Sequence, residues 1–219
     1  SYTHVDAPYE DSGISLWFDY ASEKISPDDT QSTGMESFSV YMAKNEIENA
    51  QFVLYSDTTK ANMSATVTNF TDGNGNEIPA EIYYQMYVTV EGVQHDYIYG
   101  LTDSSEDYIR EGEVPDPVYP LSKIGRFQLN GGKSQAFYIR AKTALDTPSG
   151  WYSAQLDIKN SSGQIVKTAT VYCYVWDFTI PEETALRSSF YLDGRVGAED
   201  KYKARYDYLL ENRLVAMDV

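Results

Sequence analysis

Apolar and polar residues alternate with period two over most of this chain. Ile14, Leu16, Phe18 and Tyr20 fall on one side and Ser15, Trp17 and Asp19 on the other, as in a half-buried strand. Phe38, Val40 and Met42 repeat the pattern. So do Ala50, Phe52 and Leu54, after the break at Lys44-Asn45-Glu46. Met63, Ala65 and Val67 make a fourth run. Asp72-Gly73-Asn74-Gly75-Asn76 predicts a tight turn. Behind it Ile82, Tyr84, Met86, Val88 and Val90 share one face. Phe127 and Leu129 lead through Gly131-Gly132 into Phe137, Ile139 and Ala141. Tyr152, Ala154, Leu156 and Ile158 follow, and Ser161-Ser162-Gly163 turns the chain into a run ending near Phe178. Strands this short and evenly spaced, with no helices between them, predict a mainly β fold: an antiparallel β-sandwich of about eight or nine strands.

Two segments break the pattern. Residues 94–122 read as an irregular acidic excursion with Asp96, Asp103, Glu106, Asp107, Glu111, Glu113 and Asp116, several tyrosines, and Pro115, Pro117 and Pro120 at its exit. A loop of that length in a compact domain is either functional or a well-ordered solvated excursion. After Trp176-Asp177-Phe178-Thr179-Ile180-Pro181 the grammar changes. One apolar strand at Phe190-Tyr191-Leu192 precedes an amphipathic helix over about 199–214, with Tyr202, Tyr206, Leu209, Leu210, Arg213 and Leu214 at helical spacing. A lone β-α unit cannot bury itself, so the expected organisation is a β-sandwich over 1–181 and, over 182–219, the first β-α unit of a truncated β/α barrel.

Composition narrows the partners. Net charge is −16, which argues against nucleic acid and anionic membrane surfaces. No stretch approaches the roughly 20 apolar residues of a membrane span. The chain opens on Ser1 without a Met or signal-like segment, which reads as a processing or cloning boundary. Cys173 is the single cysteine and lies on the apolar face of Ala169, Val171 and Val175, the place of a buried structural thiol.

Little in the pattern encodes chemistry. Asp72-x-Asn74-x-Asn76 begins like a calcium loop, but Glu77 and Tyr83 stand where a glycine and a bidentate glutamate are needed. The acidic excursion has carboxylates without a ligand register. His4 and His95 have no zinc-type spacing, and no strand-elbow motif presents a serine. No catalytic residue, metal site or cofactor is therefore expected from these residues. The candidate substrate-binding residues are Asp193 and Arg195, just beyond the tail strand where a β/α barrel faces its active site. Tyr97 and Tyr108 in the acidic excursion join them. So do Trp17 and Trp151, opposite their strands' apolar sets, where each either faces solvent or is covered by a second sheet or a loop.

Four segments resemble a known family. Asn45-Glu46-Ile47-Glu48-Asn49-Ala50-Gln51 resembles its NE-x-E-x-x-Q signature, and Asp116-Pro117-Val118-Tyr119-Pro120 its DPL-x-P segment. Val175-Trp176-Asp177-Phe178-Thr179-Ile180-Pro181 is similar to its VWDF-x-LP hinge. Tyr206-Asp207-Tyr208-Leu209-Leu210-Glu211-Asn212-Arg213 is similar to its first barrel helix. Together they resemble the N-terminal region of glycoside hydrolase family 123-like bacterial proteins. The resemblance implies a β-sandwich ahead of a catalytic β/α barrel that cleaves β-linked N-acetylgalactosamine with an adjacent Asp-Glu pair and the substrate's own acetamido group. This chain has no Asp-Glu dipeptide; Glu-Asp occurs at 10–11, 106–107 and 199–200. No catalytic role carries over.

The resulting expectation is a non-catalytic accessory domain of an exported bacterial glycosidase-like protein, extracellular or at the cell surface. Its partner would be a C-terminal barrel, with glycans as a further candidate. The alternative is a free-standing carbohydrate-binding or cell-surface interaction module.

Overall fold

The computed structural model describes residues 13–29, 35–91, 112–182, 188–191 and 199–217. Two sheets pack face to face. The first runs in the order β1 (Ser15–Asp19), β3 (Ile47–Ser56), β10 (Lys133–Lys142), β7 (Ala80–Val90) and β8 (Gly112–Pro120), antiparallel throughout. The second runs β2 (Phe38–Lys44), β12 (Ile165–Thr179), β11 (Gly150–Lys159), β4 (Lys60–Val67) and β9 (Phe127–Leu129). A small hairpin of β5 (Phe70–Thr71) and β6 (Glu77–Ile78) joins it against β11. The mainly β sandwich is as expected. One pair departs from the antiparallel reading: β2 runs parallel to β12.

Inward residues of both sheets supply the core, as alternation requires. Phe52, Leu54, Phe137 and Ile139 from the first sheet meet Met42, Met63, Leu156, Ile158, Val171 and Val175 from the second. Phe52 and Phe137, cross-strand neighbours, stack with centroids 4.9 Å apart, and Phe127 reaches Phe137 from the opposite sheet at 4.8 Å.

Two crossings between the sheets depend on special backbone. Between β2 and β3 stand only Asn45 and Glu46, yet the strands lie in different sheets. Asn45 makes the corner in the left-handed region at φ 60°. Between β9 and β10, a Cβ on Gly131 would lie 3.0 Å from the Asp57 carbonyl oxygen and the Thr59 nitrogen. Glycine fits there because two backbones touch.

Three local expectations are corrected. Trp17, a candidate for an open substrate-binding surface, is only 1% accessible: of the placements open to it in sequence, it takes the covered one. The segment after β1 straps across the outer face of the first sheet, burying Trp17 with Ile25, Val53 and Ala136. It is held there by the Gln51 carboxamide donating to the Tyr20 and Glu23 carbonyls at 2.8 and 3.1 Å. Ser134 donates through its N–H to the Pro27 carbonyl at 2.8 Å. The predicted apolar face of β7 fails beyond Tyr84: Gln85 is buried, while Met86 and Val88 are exposed. The ladder to β8 shifts register between Gln85 and Tyr87, and the Gln85 carboxamide donates to the Met86 and Pro117 carbonyls. Finally, 112–120 is not irregular but strand β8, which lies at the edge of its sheet among the described residues. Proline lacks a donor and is tolerated where one side of a strand faces no partner. The rest of the acidic excursion, with Tyr97 and Tyr108, lies outside the described residues.

A four-residue helix α1 (Leu121–Ile124) follows β8. Beyond the sandwich, β13 (Phe190–Tyr191) and β14 (Ala216–Met217) pair in parallel, and α2 (Glu199–Glu211) connects them. The tail is therefore a β-α-β unit, one strand more than expected.

Candidate functional site

The first candidate site is the seam where the tail meets the sandwich. The Asn45 carboxamide donates to the Ile180 carbonyl at 2.9 Å, and the Ile180 N–H donates to the Lys44 carbonyl at 3.0 Å. Lys44 Nζ pairs with Asp177 at 2.7 Å and holds that carboxyl below its usual range. Helix α2 ends in a Schellman motif: the Leu214 N–H donates to the Leu209 carbonyl at 2.8 Å and the Arg213 N–H to the Leu210 carbonyl at 2.9 Å. Arg213 sits at φ 58°, where glycine is usual. Its guanidinium explains the exception, donating to the Asn45 carbonyl and, through Nε at 3.3 Å, to the Pro181 carbonyl. Lys142 Nζ pairs with Glu211 at 2.6 Å and lowers its carboxyl pKa. Arg140 donates to the Asn212 carboxamide oxygen at 3.3 Å.

Beneath the seam the corner is wired internally. The Thr143 hydroxyl donates to the Ala43 carbonyl at 2.7 Å and accepts from the Glu46 N–H at 2.9 Å. The Glu46 carboxylate accepts from the Ala43 N–H at 2.5 Å. Glu48 follows two residues on, and burial, then the nearby Glu46 charge, raises its pKa. A crevice of about 320 Å³ opens at the seam, lined by Asn45, Glu46, Lys142, Glu182, Glu211 and Arg213. Most of these groups are already engaged in holding the tail. Surface pairs such as Lys142–Glu211 contribute little stability alone; they fix orientation.

The second candidate is an aromatic cluster on the outer face of the second sheet. Register places Trp151 on β11, Tyr174 on β12 and Tyr41 on β2 side by side, with Trp176 two residues along β12. Ring centroids lie 5.1 Å apart for Trp151–Tyr174, 4.8 Å for Tyr174–Trp176 and 6.2 Å for Tyr41–Trp176. Trp151 is 52% accessible, so of the placements that its position opposite Tyr152 and Ala154 leaves open, exposed or covered, it takes the exposed one. Sequence reasoning missed Tyr41, Tyr174 and Trp176. Their polar-face positions on β2 and β12 were a signal, but the strand pairing that joins them was not legible. Asp193 and Arg195 lie outside the described residues.

Neither the thiol nor the acidic turn offers chemistry. Cys173 is fully buried, and burial pushes its thiol up to about 12. The unfolded thiol, with an ordinary value of 9.0, releases its proton first. The thiol's contribution to stability is therefore complete below about pH 9 and lost as pH rises toward about 12. Expected results are no labelling of native chain by an aromatic disulfide reagent at pH 8, full labelling in denaturant, and a urea midpoint that falls between pH 9 and 11. Rapid labelling of folded protein would contradict this placement. The Asp72 carboxylate is occupied by its own turn. It accepts from the Asn74 and Asn76 N–H groups at 2.8 and 3.2 Å and from the Asn76 carboxamide at 2.7 Å, which lowers its pKa.

Comparison with known proteins agrees with this architecture. The chain superposes on a family 123 glycoside hydrolase from Clostridium perfringens, the subject of a structural study of glycolipid glycan hydrolysis. The TM-score is 0.67 at 11% identity, over 92% of this chain and 37% of that one. This likeness shows the fold, and the chain spans little more than a third of that enzyme's length. Looser likenesses reach a PapD-like domain of human CEP192 (TM-score 0.34, 13% identity, 83% and 98% coverage) and a Niemann-Pick type C2 protein from Japanese carpenter ant (0.32, 10%, 77% and 98%). At that level they carry no argument. No curated protein sequence matches the chain. The family model of the glycoside hydrolase 123 N-terminal domain matches residues 18–160, from the last two residues of β1 to the end of β11 and including the Asn45–Glu46 corner. The chain thus belongs to the glycoside hydrolase 123 N-terminal domain family.

Proposed function

We propose that this chain is the non-catalytic N-terminal accessory part of an exported glycoside hydrolase-like protein, extracellular or at the cell surface, whose substrates are β-linked N-acetylhexosamine glycans. In this reading residues 1–181 belong to the accessory sandwich and residues 182–219 to the start of a second domain of β/α type; the parallel pairing of β13 and β14 around α2 supports the division. One observation carries the reading. Three segments far apart in sequence, at 43–52, 175–181 and 206–213, meet in a single seam. Their polar groups are spent on holding α2 against the sandwich rather than on facing an open cleft. A domain whose most distinctive residues grip its neighbour is built to buttress it. That the substrate is a glycan draws on the Clostridium perfringens enzyme, studied for glycolipid glycan hydrolysis; the N-acetylhexosamine class draws on the four segments that resemble the family.

The test is direct. The 219-residue chain incubated with aryl β-N-acetylgalactosaminide, β-N-acetylglucosaminide and β-galactoside should release no aglycone above buffer. Reproducible release, abolished by a point substitution within this chain, would overturn the accessory reading.

A further inference from the structure

We propose that the outer face of the second sheet, at Tyr41, Trp151, Tyr174 and Trp176, is a binding site for an uncharged oligosaccharide. The reasons lie in the chemistry of two adjacent rungs of the β2-β12-β11 ladder. The first rung is Tyr41–Tyr174–Trp151 and the second is Ser39–Tyr172–Ser153. Aromatic rings therefore stand directly beside a row of hydroxyls. Tyr41, Trp151 and Trp176 are exposed, and Tyr174 is half-buried among them.

The rings are held before any ligand arrives. Tyr174 meets Trp151 at 62° and Trp176 at 76°, edge to face. Edge-to-face packing fixes ring orientation and limits the entropy lost on binding. Tyr41 and Trp176 stand within 28° of parallel, while Trp151 is turned 69° from Tyr41. Such an array suits a ligand with several apolar faces at an angle to one another, as successive pyranose rings present.

The hydroxyls decide between occupants. Among the described residues, Ser39, Ser153, Tyr41, Tyr172 and Tyr174 make no side-chain hydrogen bond within the protein. A protein surface laid over them would strand those groups away from water, and each stranded group costs free energy. Serine is accordingly depleted at the centres of protein interfaces. A glycan carries both complements at once: C–H faces for the rings and hydroxyls for the hydroxyls. Charge sets its type. Neither rung carries an ionisable acid or base other than tyrosine, and the next, Gln155–Thr170, carries none either. Against a net charge of −16, an acidic polysaccharide is repelled, and a cationic one finds no carboxylate on these rungs.

The inference does not depend on the accessory reading: binding and turnover are scored by separate assays. The experiment uses maltohexaose, cellohexaose, xylohexaose and chitohexaose, with polygalacturonate as the charged comparison. Trp151 and Trp176 are exposed and Trp17 is buried, so intrinsic fluorescence reports on the proposed face. At least one neutral glycan should give a saturable change with Kd below about 1 mM, and polygalacturonate none. Trp151→Ala and Tyr41→Ala should each weaken that binding by roughly tenfold or more, about 1.4 kcal/mol, with the thermal midpoint of the free protein unchanged. Ser153→Ala should weaken it less, by removing one hydroxyl and no ring. The proposal is overturned if no neutral glycan saturates, or if binding persists unchanged in both ring variants. Sedimentation showing self-association abolished by Trp151→Ala would also overturn it, since the face would then serve a second copy of the chain.

Discussion

Phe137→Ala is expected to lower the free energy of unfolding by about 3–5 kcal/mol. Phe137 is fully buried in the middle of β10, where the two sheets meet. Its ring stacks on Phe52 at 4.9 Å and 5°, stands edge-on to Tyr84 at 5.4 Å, and meets Phe127 at 4.8 Å. These neighbours belong to β3, β7 and β9, so the void is framed from both sheets and no single strand can close it. Little collapse means most of the cavity term remains. Against a typical domain stability of about 5–15 kcal/mol, the loss should bring the urea midpoint down sharply with an unchanged slope. A loss under about 1 kcal/mol would mean the sheets do not pack around this ring.

The second large effect is expected at the corner. Thr143→Val keeps shape and volume but removes the hydroxyl that bridges the Ala43 carbonyl and the Glu46 N–H. Thr143 is only 1% accessible, so water does not replace it. Leaving a buried polar group unpaired costs about 1–3 kcal/mol, and two are at stake here. Thr143→Val should therefore cost about 2–4 kcal/mol, while Thr143→Ser, which keeps the hydroxyl, should lose little more than a buried methyl group, about 1 kcal/mol. Equal losses in the two variants, measured by urea denaturation, would show that the methyl rather than the hydroxyl matters. Because Asn45 and Arg213 are anchored on this corner, Thr143→Val should also loosen α2, read as faster amide exchange in the helix.

Much of the fold was legible. Alternation placed β4, β11 and the inner face of β12 correctly, because a strand between solvent and core must repeat every two residues; it gave only the inner face of β3, whose outer face the strap also buries. The Asp72–Asn76 turn and α2 were equally local: turn chemistry and a helical stripe each act within a few residues. The acidic excursion misled at 112–120. Its prolines argue against a central strand, but an edge strand accepts them.

Side-chain pattern alone was enough to tell which residues face inward along most strands and that Cys173 belongs to the core. These are one-dimensional consequences of side-chain period and transfer free energy. Partnership came from packing. Period two names a face but not the strand that lies beside it. Trp17 reads like Trp151 in sequence, yet a strap covers one and leaves the other in water. Tyr41 and Tyr174 are neighbours only because β2 runs parallel to β12. The clamp of Asn45, Ile180 and Arg213 likewise exists only because a left-handed corner, a hinge and a helix end arrive at one point. Contacts between residues more than a hundred positions apart carry no local signature. They are fixed by which sheet buries the most apolar surface and satisfies the most backbone groups at once.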